Sequence, residues 1–216
     1  PTGFSERPNQ FFSRLILNWF RYGEGRKNSP MTTNQTVLAY ARQSVGTQVG
    51  SGECFDLADE ALRNAGASSA SDYGRITPTA DYVWGRRVSR QEAQPGDIIQ
   101  FRNYSMLIET ETRVRVDTGG GGFEESFETV TETQSRGHHT AVVEAVDPSG
   151  RFNVLEQNVG TGVDRRRVQS NELFFVTRTP PPQTTREGKV TTTVRRTVTV
   201  RGQAWFYRPQ TSNGGR

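Results

Sequence analysis

The chain has 216 residues, enough for one or two domains with a sizeable core. Its hydrophobic share is 32%, and counting the 22 glycines brings this to about 42%, slightly under the ~45–50% of ordinary domains, which implies a globular body with polar extensions. The single cysteine excludes an internal disulfide framework and a cysteine-only zinc site, no apolar run nears the ~18 residues of a transmembrane helix, and a net charge of +4 decides little.

The chain begins at Pro1 with no Met and no charged-then-apolar leader, which suggests a removed targeting segment or a trimmed chain. Residues 10–22 (QFFSRLILNWFRY) predict a short helix with Phe11, Leu15 and Trp19 one turn apart. Residues 1–33 therefore read as an N-terminal helical arm, laid on a partner surface and closed by the turn-rich GEGRKNSP. A second helix is expected over 34–45 and, after the linker GTQVGSGE, a third over 54–65 with Gly66 at its C-cap. From Pro95 the pattern turns to β. PGDIIQF is a turn feeding a strand, HTAVVEAV and RFNVLEQN flank the turn residues DPSG, and QAWFYRP closes at Pro209 before a polar tail over 210–216. Two stretches, about 104–136 and 177–201, read as β-hairpin arms inserted into a body spanning 34–209, because their alternation leaves at least one face polar. The expected class is α+β, with N-terminal helices packed on a central antiparallel β-sheet.

Charge is uneven. Eleven basic residues face three acidic ones from Gly160 to Arg216, while 105–136 holds seven acids against three bases. A basic C-terminal third could contact an anionic polymer, but a solvated arginine-rich surface explains it better, and no nucleic-acid motif accompanies it.

Cys54 opens the third helix directly after a glycine-rich linker, where free amides and the helix dipole favour a thiolate, although Glu53 and Asp56 oppose it. On its own it reads as a small buried hydrophobe. A nucleophile needs a base, and the only histidines are His138 and His139. His139 shares a strand face with Ala141, Val143 and Ala145; on the following strand Phe152, Val154, Glu156 and Asn158 share one. A two- or four-residue loop places Asn158 opposite His139 with Glu156 diagonal to it; a three-residue loop breaks this unless a bulge restores the parity. Either polar group could orient the imidazole, which is the nucleophile–base–orienter logic of a cysteine triad.

GECFDLADEAL, PGDIIQF, GHHTAVVEAVDPSGRFNVLEQN and WFYRP, in that order, resemble the CHAP family, the cysteine, histidine-dependent amidohydrolases/peptidases. The resemblance covers residues 34–158 and 205–209 and implies a papain-like, NlpC-like fold. It implies Cys54 as nucleophile, His139 as general base, Glu156 as third member and Asn158 as supporting group or alternative third member. Gln48, six residues before Cys54, would by the same likeness help form an oxyanion hole, although it reads equally well as a solvated loop residue. The sequence departs from the family in the acidic FDLADE and in His138, which stands where many members have glycine.

The resemblance implies a thiol-dependent amidase or endopeptidase acting on bacterial cell-wall peptidoglycan, needing no cofactor or metal and secreted, periplasmic or cell-surface. A non-catalytic binding or assembly module on the same scaffold is the alternative, supported by the polar arms. A metal enzyme is a distant third, since two adjacent histidines and one cysteine make a poor ligand set.

Overall fold

Thr32 caps α1 (Thr33–Gln43) reciprocally with Gln35: the Gln35 amide donates to the Thr32 hydroxyl, and the Gln35 side chain accepts from the Thr32 amide. A second helix, α2 (Cys54–Asn64), buries Leu57, Ala58, Ala61 and Leu62, one face at helical spacing. A single turn, α3 (Ala70–Tyr73), follows. The strands are β1 (Arg86–Val88), β2 (Ile98–Gly119), β3 (Gly122–Val146), β4 (Arg151–Glu156), β5 (Gln169–Phe174), β6 (Gln183–Glu187) and β7 (Val190–Arg208). These elements come from a computed structural model that describes residues 30–212. The helix expected over 10–22 and most of the polar tail lie outside them.

The strands form one antiparallel sheet in the order β1-β7-β2-β3-β4-β5, with β6 added to β7. This corrects the expected α+β class: among the described residues the fold is 50% strand and 18% helix, a curled half-barrel of antiparallel strands with few helices. The physical reason lies in the two stretches expected as inserted arms. They are outward continuations of central strands. β2 runs 22 residues and β3 runs 25, paired from Ile98↔Val142 to Asp117↔Phe123, and β7 follows β2 out to Val116↔Val190. Their runs of threonine and valine simply lengthen the ladders, because β-branched residues fit a pleated surface on either face.

Side-chain alternation divides the core. Ile98, Val142 and Leu155 join α1 and α2 through Val37, Ala41, Leu57 and Leu62. Their strand neighbours Ile99, Val143 and Val154 join a second cluster with Phe101, Tyr104, Phe152, Phe174 and Phe206. Strands covered on both faces explain why IIQF and AVV read as continuous apolar runs.

A bend crosses the sheet where the long extensions leave the body. Asn103 has φ 51° and Gly202 φ 82°, and the β2–β7 register shifts between Arg102 and Ser105. Alternation inverts there, so Phe101 and Tyr104 lie in the same cluster despite their odd spacing.

Candidate active site

The loop before α2 is tied from two sides. The Gln157 side chain donates to the carbonyls of Val49 (3.0 Å) and Glu53 (2.6 Å) and accepts from the Val49 amide (3.2 Å). The Asp56 carboxylate accepts from the Ser51 amide (2.8 Å), the Ser51 hydroxyl (2.6 Å) and the Glu53 amide (3.3 Å). Cys54, half-buried, is thereby fixed as the first residue of α2, where no carbonyl one turn back can take its amide. Gly50 and Gly52 hold positive φ in this loop, and Cβ atoms there would strike Asp56 and Arg166.

His139, on β3, is 5% exposed, and its Nε2 lies 2.9 Å from Oε2 of the fully buried Glu156, the last residue of β4. The Val146↔Phe152 pair and the Asp147–Arg151 bond enclose an odd-numbered turn that would put Glu156 on the wrong face. A register shift between Val143 and Ala145 restores the parity, leaving Val143↔Val154 and Val142↔Leu155 in step. The ladder ends there, and this corrects the expected pairing of Asn158 with His139. Asn158 stands past the strand at φ 61° and donates instead to Glu53 Oε2 at 2.6 Å.

Glu156 has two further partners that the sequence reading missed. Arg136 donates through Nε (2.8 Å) and Nη2, and Asn171 donates at 3.0 Å. Strict alternation would turn Arg136 away from His139, three residues on; the irregularity at Gly137 beside the bend puts both on Glu156, and the lone Gly in RGHH was the available signal. Gln157 was hidden because alternation points it away from Glu156, and the strand ends before that rule applies.

The electrostatics follow from burial and partners. Burial alone would push the His139 imidazolium pKa down, but hydrogen bonding to Cys54 and Glu156, together with their charges, raises it to about 9. For Glu156, burial pushes the pKa up, and the bonds from Arg136 and His139 outweigh it, holding the carboxyl at about 2. With Nε2 held by Glu156, Nδ1 is the ring nitrogen left for another partner.

His138 faces elsewhere: its Nε2 lies 2.6 Å from the Ala80 carbonyl and its ring meets the edge of Tyr82. Gln48, expected to serve an oxyanion hole, is exposed, donates to the Gly50 carbonyl at 3.2 Å, and is not among the residues that line the cleft around Cys54. Cys54 and His139 open on a cleft of about 970 Å³, walled by Phe55, Tyr82, Gln134 and Asn158. Among the described residues no group of three His, Cys, Asp or Glu side chains is arranged to hold a metal ion, and no helix is long and apolar enough to cross a membrane.

A family model described as the AIM3/BBC1 cysteine proteinase-fold domain matches residues 29–175, a span that includes Cys54, His139 and Glu156. The match supports a papain-like cysteine-proteinase fold, though not the CHAP family that the motifs resemble. No curated protein and no solved structure matches the chain.

Proposed function

Because the chain belongs to the AIM3/BBC1 cysteine proteinase-fold family, we propose that it is a thiol-dependent hydrolase of amide bonds, with Cys54 as nucleophile, His139 as general base and acid, and Glu156 orienting the imidazole. The observation that carries this reading is that Glu156 holds Nε2 of the buried His139 imidazole at 2.9 Å while His139 and Cys54 line the same large cleft.

In the proposed reaction His139 accepts the thiol proton at Nδ1 and the sulfur adds to the amide carbon, giving a tetrahedral oxyanion. The Cys54 amide, lacking an intrahelical acceptor, is a donor for that oxygen. His139 then protonates the departing amine as the C–N bond breaks, leaving a thioester. Water, deprotonated by the same imidazole, hydrolyses it and returns the proton to sulfur. A cell-wall peptide as substrate, and with it a site outside the cytoplasm, rests on the CHAP resemblance alone, so the reading is pitched at the amide bond.

Two observations favour a second reading, a non-catalytic binding module: Arg136 claims both oxygens of Glu156, and the Gln48 side-chain amide donates to the Gly50 carbonyl. The two readings part on reactivity. Cys54 alkylation by iodoacetamide, followed from about pH 6 upward, should stay fast at the acidic end and slow at least tenfold in His139→Ala. Fluorescein-labelled casein should be cleaved by the wild type and left intact by Cys54→Ala. A thiol indifferent to His139, with no casein cleavage, supports the module.

A further inference from the structure

We propose that the free edge of β3 is an exosite for an extended, basic polypeptide segment, which adds there as a strand and runs on into the cleft. β3 is paired with β2 along its whole length, but β4 occupies its other side only from Val142 to Val146. From Gly122 to Ala141 that side has no strand partner among the described residues. Every second residue of such an edge presents an N–H and a C=O outward, a template for another chain. The lower part of this edge, Thr133 to His139, is itself a wall of the cleft that holds Cys54.

Charge selects the occupant. Glu124, Glu128 and Glu132 are exposed and share one face of β3, at every fourth position. Across from them β2 offers Val116, Thr112 and Ile108, none of them a cation, and among the described residues none of the three glutamates forms an ion pair. Glu125, on the other face, pairs with Arg113 of β2. Among the described residues, then, Glu124, Glu128 and Glu132 have no counter-charge, and the open side of β3 has room for a strand that brings one.

A second copy is disfavoured. Two β3 edges paired antiparallel about Glu128 would set Glu128 against Glu128 and Glu124 against Glu132, and like charges directly opposite are destabilising. That repulsion protects an exposed edge from its own kind and is lifted for a strand of opposite charge. From Glu132 to His139 the edge runs about 24 Å at ~3.4 Å per residue. Recognition would thus lie well away from the bond presented to Cys54. Delivery to the sulfur rests on the proposed hydrolysis; strand addition does not.

The test uses the full chain carrying Cys54→Ala and a fluorescein-labelled dodecapeptide of alternating Thr and Lys. Binding followed by anisotropy should be accompanied by slowed amide exchange between residues 122 and 138. Affinity should fall at least tenfold in Glu124→Lys/Glu128→Lys/Glu132→Lys, and likewise for a peptide N-methylated at alternate residues. No binding, protection confined to β6, or equal affinity for the N-methylated peptide would each overturn the exosite. If wild-type protein binds the probe and never cleaves casein, the exosite stands and the hydrolase reading falls.

Discussion

Glu156 has no exposed surface, so its charge persists only because donors surround it: Arg136 twice, His139 and Asn171. His139 gains from the same arrangement, and the pH dependence of stability follows from both. The folded imidazole, raised to about 9 against an ordinary 6.5, binds its proton more tightly than in the unfolded chain. Its contribution, on the order of a few kcal/mol, is full below pH 6.5 and is lost as pH rises through about 9. The Glu156 carboxyl, held at about 2 against 4.5, contributes fully above pH 4.5, and that contribution is lost as pH falls through about 2. Stability from this pair should therefore plateau between pH 4.5 and 6.5. Urea midpoints measured from pH 5 to 9 should fall in the wild type above 6.5, and the fall should vanish in His139→Ala. Equal slopes in both proteins would show that His139 is not the titrating group. Side-chain alternation brings His139 and Glu156 together only because the register shift between Val143 and Ala145 offsets the odd-numbered turn, a compensation the sequence allowed for but did not locate. Arg136 lies across an irregularity and Gln157 past a strand end, where period two carries no information.

At the scale of elements, the bend through Asn103, Gly137 and Gly202 decides which side chains meet. It puts Arg136 and His139 on one carboxylate and Phe101 and Tyr104 in one cluster. The glycines on it are not equivalent. A Cβ on Gly202 would sit 2.0 Å from the Asn103 carbonyl oxygen, on backbone at φ 82°; one on Gly137 meets nothing within 4 Å. Gly202→Ala should therefore cost more than about 1 kcal/mol of folding free energy, while Gly137→Ala stays within about 0.5 kcal/mol of wild type. Denaturant unfolding of the two variants checks this, and equal stabilities would mean that the bend relaxes freely. The helices were readable because capping and 3.6-residue spacing are local: those expected over 34–45 and 54–65 are α1 (Thr33–Gln43) and α2 (Cys54–Asn64). The bend was not, because it depends on three strands far apart in the chain approaching one another.

For the whole molecule, the long extensions of β2, β3, β6 and β7 share strands with the core yet bury little of their own. Burial along β2 ends after Tyr104, Met106 and Ile108, and on β7 it stops at Val198, which bridges Arg178. Beyond these points both faces carry mostly threonine and charge, and such strands add ladder hydrogen bonds but little apolar area. This explains why sequence alone read them as hairpin arms apart from the central strands: polarity marks where the core ends, whereas strand continuity depends on backbone pairing that polarity does not report. The boundary has consequences for trimming. Removing 104–136 would take away Tyr104, whose hydroxyl donates to the Phe174 carbonyl at 2.7 Å, and Arg136 with its hold on Glu156. Cutting only 109–131 and 179–197, with an Asn-Gly turn closing Ile108 to Glu132 and Arg178 to Val198, leaves the buried set whole. The trimmed chain should unfold cooperatively within a few degrees of wild type and keep its Cys54 alkylation rate, while losing the Thr–Lys peptide together with Glu124 and Glu128. A trimmed chain that melts without cooperativity would show that the extensions stabilise the half-barrel itself.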